Sequence, residues 1–222
     1  MFSIAIDGPS GAGKSTISKN LAQKLGYIYV DTGALYRAIG YTALMTNVDV
    51  DDADMVEGML KDISIKLEYF DGNQHVFVNT EDVTSKIRQE TVSMAASAVS
   101  AHKVTRTFLL DLQRDFAKTS NVIMDGRDIG TVVLPDADIK IFLTASAEQR
   151  ALRRQKELIG KGVKAVYSDI LRDLKERDYN DIHREIAPLK AAEDAITIDT
   201  TTMTFDEVAK KVYSLVKEKK NI

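Results

Sequence analysis

Ile4-Ala5-Ile6-Asp7-Gly8-Pro9-Ser10-Gly11-Ala12-Gly13-Lys14-Ser15-Thr16-Ile17 decides how the chain is read. An apolar, strand-like run ends at Asp7, Gly8 to Ser15 fit G-x-x-x-x-G-K-[ST], and Ile17, Leu21 and Leu25 then recur at the spacing of a helix. That motif binds phosphate only between a strand and a helix, and here it has both. The glycines let successive N–H groups turn inward onto phosphate oxygens, and the positive end of the helix adds to the same field. Gly8, Pro9, Ser10, Gly11, Ala12, Gly13, Lys14, Ser15 and Thr16 are therefore the candidate contacts of a nucleoside triphosphate. Lys14 should reach the outer phosphates, and Ser15 should offer its hydroxyl to Mg²⁺.

Further short apolar runs at Tyr27–Val30, Val122–Met124, Ile139–Leu143 and Ala195–Ile198 join Phe2–Ile6, each continuous enough for burial on both faces. Helical patterns lie between them, and Ser146 with Gln149 and Thr204 with Glu207 have the spacing of capping boxes. The expected fold is α/β, a parallel five-stranded sheet with helices on both faces and ligands beyond the carboxyl ends of the strands. One stretch departs from this order. Ile63, Ile65, Leu67 and Tyr69 alternate with polar residues, Asp71-Gly72 supplies a turn, and His75–Val78 reads as a return strand. This hairpin sits in an excursion from about residue 49 to 116, an expected inserted lobe within a single domain of residues 1–222. Asp49, Asp51, Asp52 and Asp54 at its start read as a solvated loop and helix N-terminus.

Composition narrows the function. The 222 residues are 44% apolar and 28% charged, a globular balance, and 30 Lys+Arg against 33 Asp+Glu leave a net charge of -3, with no general attraction to nucleic acid or an anionic membrane. There is no Cys, hence no disulfide, thiolate metal site or thiol nucleophile, and His75, His102 and His183 lack metal-ligand spacing. No secretory leader and no run of bilayer length is seen, so a cytoplasmic monomer acting on small molecules is expected.

A switch GTPase would carry N-K-x-D after a later strand, and the sequence has none. A motor ATPase would place Glu after the Asp that ends a core strand, whereas Asp125 is followed by Gly126-Arg127-Asp128; Asp125 is placed to hold a metal-bound water. A small phosphotransferase remains, and its loose transition state needs several fixed cations. Between Arg150 and Arg184 ten Lys/Arg stand against six Asp/Glu, a local +4. Arg150, Arg153 and Arg154 fall at i, i+3 and i+4, and Gly160 and Gly162 mark a flexible tip before a second helix from about Tyr167. The strip at about 150–184 is the expected arginine-rich lid, with Arg153 as an ATP contact. A closing lid would exclude water, which otherwise competes as acceptor. A nucleotide-binding regulator, or a kinase for another monophosphate or shikimate, stays open on these residues alone.

The phosphate loop, Asp31-Thr32-Gly33-Ala34-Leu35-Tyr36-Arg37, Asp125-Gly126-Arg127-Asp128-Ile129-Gly130-Thr131-Val132-Val133, Lys140-Ile141-Phe142-Leu143, Glu176-Arg177-Asp178 and Ala187-Pro188-Leu189, taken together in this order, closely resemble the bacterial cytidylate kinases, P-loop nucleoside monophosphate kinases. The resemblance covers nearly the whole chain. It implies transfer of the γ-phosphoryl of ATP to CMP or dCMP with Mg²⁺, giving ADP and the diphosphate. It further implies that Lys14, Arg127 and Arg177 are catalytic, and that Arg37, Arg127 and Arg177 meet the acceptor's phosphate. Thr32 and Tyr36 would line the acceptor pocket, Asp181 and Arg184 would serve its sugar and phosphate end, and Ser97, Arg106 and Asp128 would read the base. The residues also carry blander readings: Tyr36 as core, Ser97 as a small helix-packing residue, Arg106 as a solvated cation.

Overall fold

A computed structural model describes residues 1–70 and 72–220. The chain opens with strand β1 (Ser3–Asp7), helix α1 (Lys14–Leu25) and strand β2 (Ile28–Asp31). It continues through α2 (Thr32–Met45), α3 (Ala53–Leu60), β3 (Ile65–Phe70), β4 (Asn73–Val78), β5 (Glu81–Asp82), α4 (Glu90–Val99) and α5 (Lys103–Thr119). β6 (Val122–Gly126), β7 (Ile139–Thr144), α6 (Ala147–Gly160), α7 (Tyr167–His183), β8 (Ile196–Asp199) and α8 (Phe205–Lys220) complete it. Two compact units result, Met1–Tyr29 with Ser120–Ile222, and Val30–Thr119.

The first unit is built on a five-stranded sheet of order β2-β6-β1-β7-β8. β1 pairs in parallel with β6 and with β7, and β7 with β8, so the α/β class and all five core strands expected from the sequence are present. Three of the strands begin one residue later than their apolar runs suggest, and β6 extends to Gly126. Burial on both faces holds for β1 and β6, which lie inside the sheet, but not for β8: only Ile198 of it is buried, because an outermost strand has one neighbour. Ile4, Ile6, Ile123, Ile141 and Leu143 form the centre of the core, with Ile17 and Leu21 of α1 and Val208, Val212 and Val216 of α8 packed against it.

Caps set the helix starts. Thr204 and Glu207 make the full reciprocal box, with Thr204 N–H donating to Glu207 at 2.8 Å and Glu207 N–H to Thr204 Oγ1 at 3.3 Å. Ser146 makes half of one: it accepts from Gln149 N–H, while its own N–H donates to Thr201 Oγ1. α1 stops at Gly26, whose φ of 67° lies in the left-handed region and whose N–H closes on Ala22.

The second unit has its own core, with Leu35 and Ile39 of α2, Val56 and Leu60 of α3, Val76 of β4 and Leu109 of α5 among its buried residues. β3 and β4 pair antiparallel from Ile65 opposite Val78 to Phe70 opposite Asn73, the hairpin read from the alternation. Of the expected Asp71-Gly72 turn, Asp71 lies outside the described residues and Gly72 has φ +76°. The two-residue strand β5 adds to β4 and had no sequence signal. Asp52 caps α3 by accepting from Asp54 and Met55 N–H, so that acidic run works as a helix start. α2 and α4 cross closely at Gly40, where a Cβ would lie 2.7 Å from Ala96 N, so only glycine lets the two backbones approach this far.

Candidate functional site

The loop after β1 is bent by glycines. A Cβ on Gly8 would meet Leu143 O at 1.9 Å, and Gly13, at φ 93°, starts α1 with no side-chain cap. The helix therefore presents unused N–H groups at its N-terminus, with no acidic residue in the first turn to compete for them. Lys14 is buried and its Nζ donates to Pro9 O at 2.8 Å, folded over the loop. Burial, and next the charge of Arg127, push its ammonium pKa down, against the pull of Asp125, Asp7 and Asp181. Ser15 and Thr16 are exposed at the mouth.

Register brings a second group of side chains to the same edge of the sheet. Asp7 pairs with Gly126, so the loop after β6, with Arg127 and Asp128, leaves beside the phosphate loop at the carboxyl ends of adjacent strands. The buried Asp125 accepts from Ser15 Oγ at 2.6 Å and from Tyr29 OH at 3.0 Å. A hydroxyl and a carboxylate that close together make the hard oxygen pair that suits Mg²⁺. Asp7, itself buried, accepts from Ile129 and Gly130 N–H at 2.8 and 2.7 Å and so fixes the turn that follows Asp128. Burial pushes the Asp7 carboxyl up to about 6 despite these two donors.

Arg127 donates through Nε to Asp181 Oδ2 at 2.8 Å, and Arg184 stands 3.5 Å from Asp181 Oδ1 and 3.7 Å from Asp128 Oδ1. Burial alone would raise the Asp181 carboxyl, but Arg127 and Arg184 hold it below its ordinary value. Arg177 of α7 is half-buried and adds to the positive field on Asp181. Asp181 is thus a salt-bridge partner in this structure, a place that its expected role as a sugar contact did not foresee.

The three arginines read as one lid face diverge. Arg150 is buried and donates to Ser10 O and Ala145 O at 2.9 Å, and its guanidinium grips both oxygens of Asp178 on α7, an anchor between the phosphate loop and the helix pair. Arg153 donates to Thr200 Oγ1 and Thr200 O, and Arg154 pairs with Glu157. Their common spacing on α6 does not give them a common target.

In the second unit Asp31 organises the expected acceptor residues. Its Oδ1 accepts from Ala34 N–H, capping α2 whose first residue is the buried Thr32, and its Oδ2 accepts from Arg37 at 2.8 Å. Arg88 lies 3.5 Å from the same oxygen. The Nε of Arg37 is buried and has no hydrogen-bond partner among the described residues. Arg106 is also buried, which overturns the solvated reading: it donates to Tyr36 OH at 3.1 Å, with its guanidinium 5.5 Å from the Tyr36 ring centre. Ser97 is half-buried on α4, and its carbonyl accepts from Ser100 Oγ.

Sequence reasoning missed Asp31, Asp7, Asp178 and Arg88. Asp31 alone had a signal, three residues ahead of Ala34 at the start of an apolar helix, where an N-cap belongs.

The family model described as cytidylate kinase matches residues 4–218. A cytidylate kinase of Caldicellulosiruptor saccharolyticus is 55% identical over 214 residues, 96% of this chain and 95% of that protein. One of Ligilactobacillus salivarius is 48% identical over 97% of this chain and 96% of that protein. Among solved structures, an uncharacterized protein from Eubacterium ventriosum is similar over 98% of each chain, with a TM-score of 0.53 at 14% identity, a likeness of fold.

Proposed function

The chain belongs to the cytidylate kinase family, and from that premise we propose that it moves the γ-phosphoryl of ATP to CMP or dCMP by in-line transfer, with Lys14, Arg127 and Arg177 as catalytic cations. It is a CMP kinase, releasing ADP and the cytidine diphosphate. One observation carries the residue assignment: the register that sets the phosphate loop and Arg127-Asp128 at neighbouring strand ends, where a phosphoryl group would pass from one to the other.

The loop from Gly8 to Thr16 holds the triphosphate through N–H groups and Lys14, with Arg153 as a further contact. Ser15 and Asp125 would hold Mg²⁺, which when bound offsets charge on the outer phosphates. Two phosphate groups brought to ~4 Å repel by ~4 kcal/mol per unit charge pair at an effective dielectric of 20, so the approach needs a cationic frame. Arg37, Arg127 and Arg177 supply it on the acceptor side, with Arg184 at the same end. Against the cost of burial, Asp181 keeps Arg127 charged and oriented before substrate arrives, so little reorganisation is needed at transfer. The acceptor phosphate is ionised near neutral pH and attacks without a general base.

Thr32 and Tyr36 line the acceptor pocket, and Asp181 also takes the ribose hydroxyls. Arg106, Ser97 and Asp128 read the base. Asp128 accepts the exocyclic amine of cytosine; uracil places a carbonyl there, which leaves a buried carboxylate facing an acceptor. Helices α6 and α7, about residues 150–184, act as the lid, and the hairpin-bearing stretch, about 49–116, serves acceptor binding. The reading includes a cytoplasmic monomer with no nucleic acid or membrane partner, in keeping with the net charge of -3.

An ADP-release assay tests it. Turnover should be highest with CMP and dCMP and depend on added Mg²⁺. Comparable turnover on AMP, UMP and shikimate with none on CMP would overturn it.

A further inference from the structure

The three-stranded sheet of the second unit reaches back to Asp31 through one side chain. Gln74 of β4 accepts from Asp31 N–H through Oε1 at 2.8 Å and donates through Nε2 to Asp31 O at 3.2 Å. A carboxamide carries acceptor and donor in one plane, so it takes both main-chain groups of a single residue as a neighbouring strand would. Asp31 is the last residue of β2 and the cap of α2, and its buried carboxylate holds Arg37 at 2.8 Å and Arg88 at 3.5 Å. Across the hairpin Gln74 is paired with Tyr69, whose phenol is pushed up by burial and then by the charge of Asp31, and whose ring stands edge-on to Phe116 at 6.0 Å. The clamp therefore rests on a packed hairpin. Downstream of it, Arg37 keeps a buried Nε with no partner among the described residues, a donor aimed for something the chain does not itself supply.

We propose that Gln74 is a positioning residue for the acceptor-phosphate site: the hairpin, through Gln74, fixes the main chain of Asp31, and Asp31 fixes the guanidinium of Arg37. This rests on the reading of Arg37 as a phosphate contact. It gives the hairpin a task in acceptor capture that a strand-edge filler would not have.

A double-mutant cycle on the full-length enzyme tests it, with Gln74→Met, which keeps the shape and removes both hydrogen bonds, and Gln74→Ala as a second variant. Either change should raise KM for CMP about fivefold, with kcat and KM for ATP moving by less than about twofold, because a small misplacement of a binding group weakens capture. In an Arg37→Ala background the same change should raise KM for CMP no further. A Gln74 variant with a lowered melting temperature but an unmoved KM for CMP makes Gln74 a structural filler and overturns the proposal, while Arg37→Ala still weakens CMP. Full additivity of the two changes overturns it as well. If Arg37→Ala itself leaves KM for CMP unchanged, the phosphate-contact reading of Arg37 fails, and the proposal with it.

Discussion

In the unit that carries the phosphate loop, Lys14 is buried on Pro9 O and Arg150 on Asp178 and Ser10 O, while the half-buried Arg127 and Arg184 lie on Asp181. In the unit of residues 30–119, Asp31 serves two arginines more loosely, Arg37 with a donor to spare and Arg88 with its side chain 53% exposed. On the proposed roles, the difference follows the chemistry each would be asked to do. Charge that develops during transfer is stabilised best by dipoles and cations already fixed in place, whereas a substrate that must enter and leave is better met by groups with unused hydrogen-bonding capacity.

The sharpest way to break this contrast is at Lys14. Lys14→Ala should lower kcat by about a thousandfold, the scale seen on losing a donor to transition-state charge. Because burial already works against its ammonium, the melting temperature should stay within a few degrees or rise. A large loss of stability in a calorimetric scan would mean that Lys14 is part of the frame.

The two aspartates sharpen the comparison next. Asp181→Asn leaves Arg184, its side chain 8% exposed, and the half-buried Arg127 undercompensated and should cost about 3 kcal/mol in denaturant unfolding. Asp31→Asn keeps the helix cap and loosens a partly solvated pair, so about 1 kcal/mol is expected. Equal losses would erase the distinction between the units. Asp181 also has a folded pKa below its ordinary 3.8, so the stability it adds is present above that value and is lost as pH falls through the lower, folded one.

Asp7 has the opposite sign. Its carboxyl moves from an ordinary 3.8 to about 6, so the folded chain holds that proton more tightly than the unfolded one, and stability falls as pH rises from about 4 to about 6. Two pKa units correspond to at most about 3 kcal/mol. Comparing denaturant unfolding of the wild type and Asp7→Asn at pH 4 and pH 6.5 reads this directly, since the difference between the two proteins should change across that window. A constant difference would refute the shift.

Much of this was legible before any coordinates. Continuous apolar runs revealed five core strands, and Gly8 to Ser15 gave the loop, because strand, turn and helix there are all local in sequence. β5 was invisible, being two exposed residues without alternation. The clamp joins Gln74 to Asp31 across 43 positions, and Arg150 reaches Ser10 across 140, so no spacing rule could find either. Charge counting saw the excess of arginines from 150 to 184 but not that two aspartates of α7, Asp178 and Asp181, pair with Arg150 and Arg184 of the same stretch.

The division of labour itself is tested most directly by calorimetric titration of CMP and of a non-hydrolysable ATP analogue into Lys14→Ala and Arg37→Ala. The account predicts that Arg37→Ala weakens CMP about tenfold and leaves the ATP analogue within about twofold, as loss of one charge-assisted contact implies, and that Lys14→Ala does the reverse. Equal losses of both ligands in both variants would contradict it.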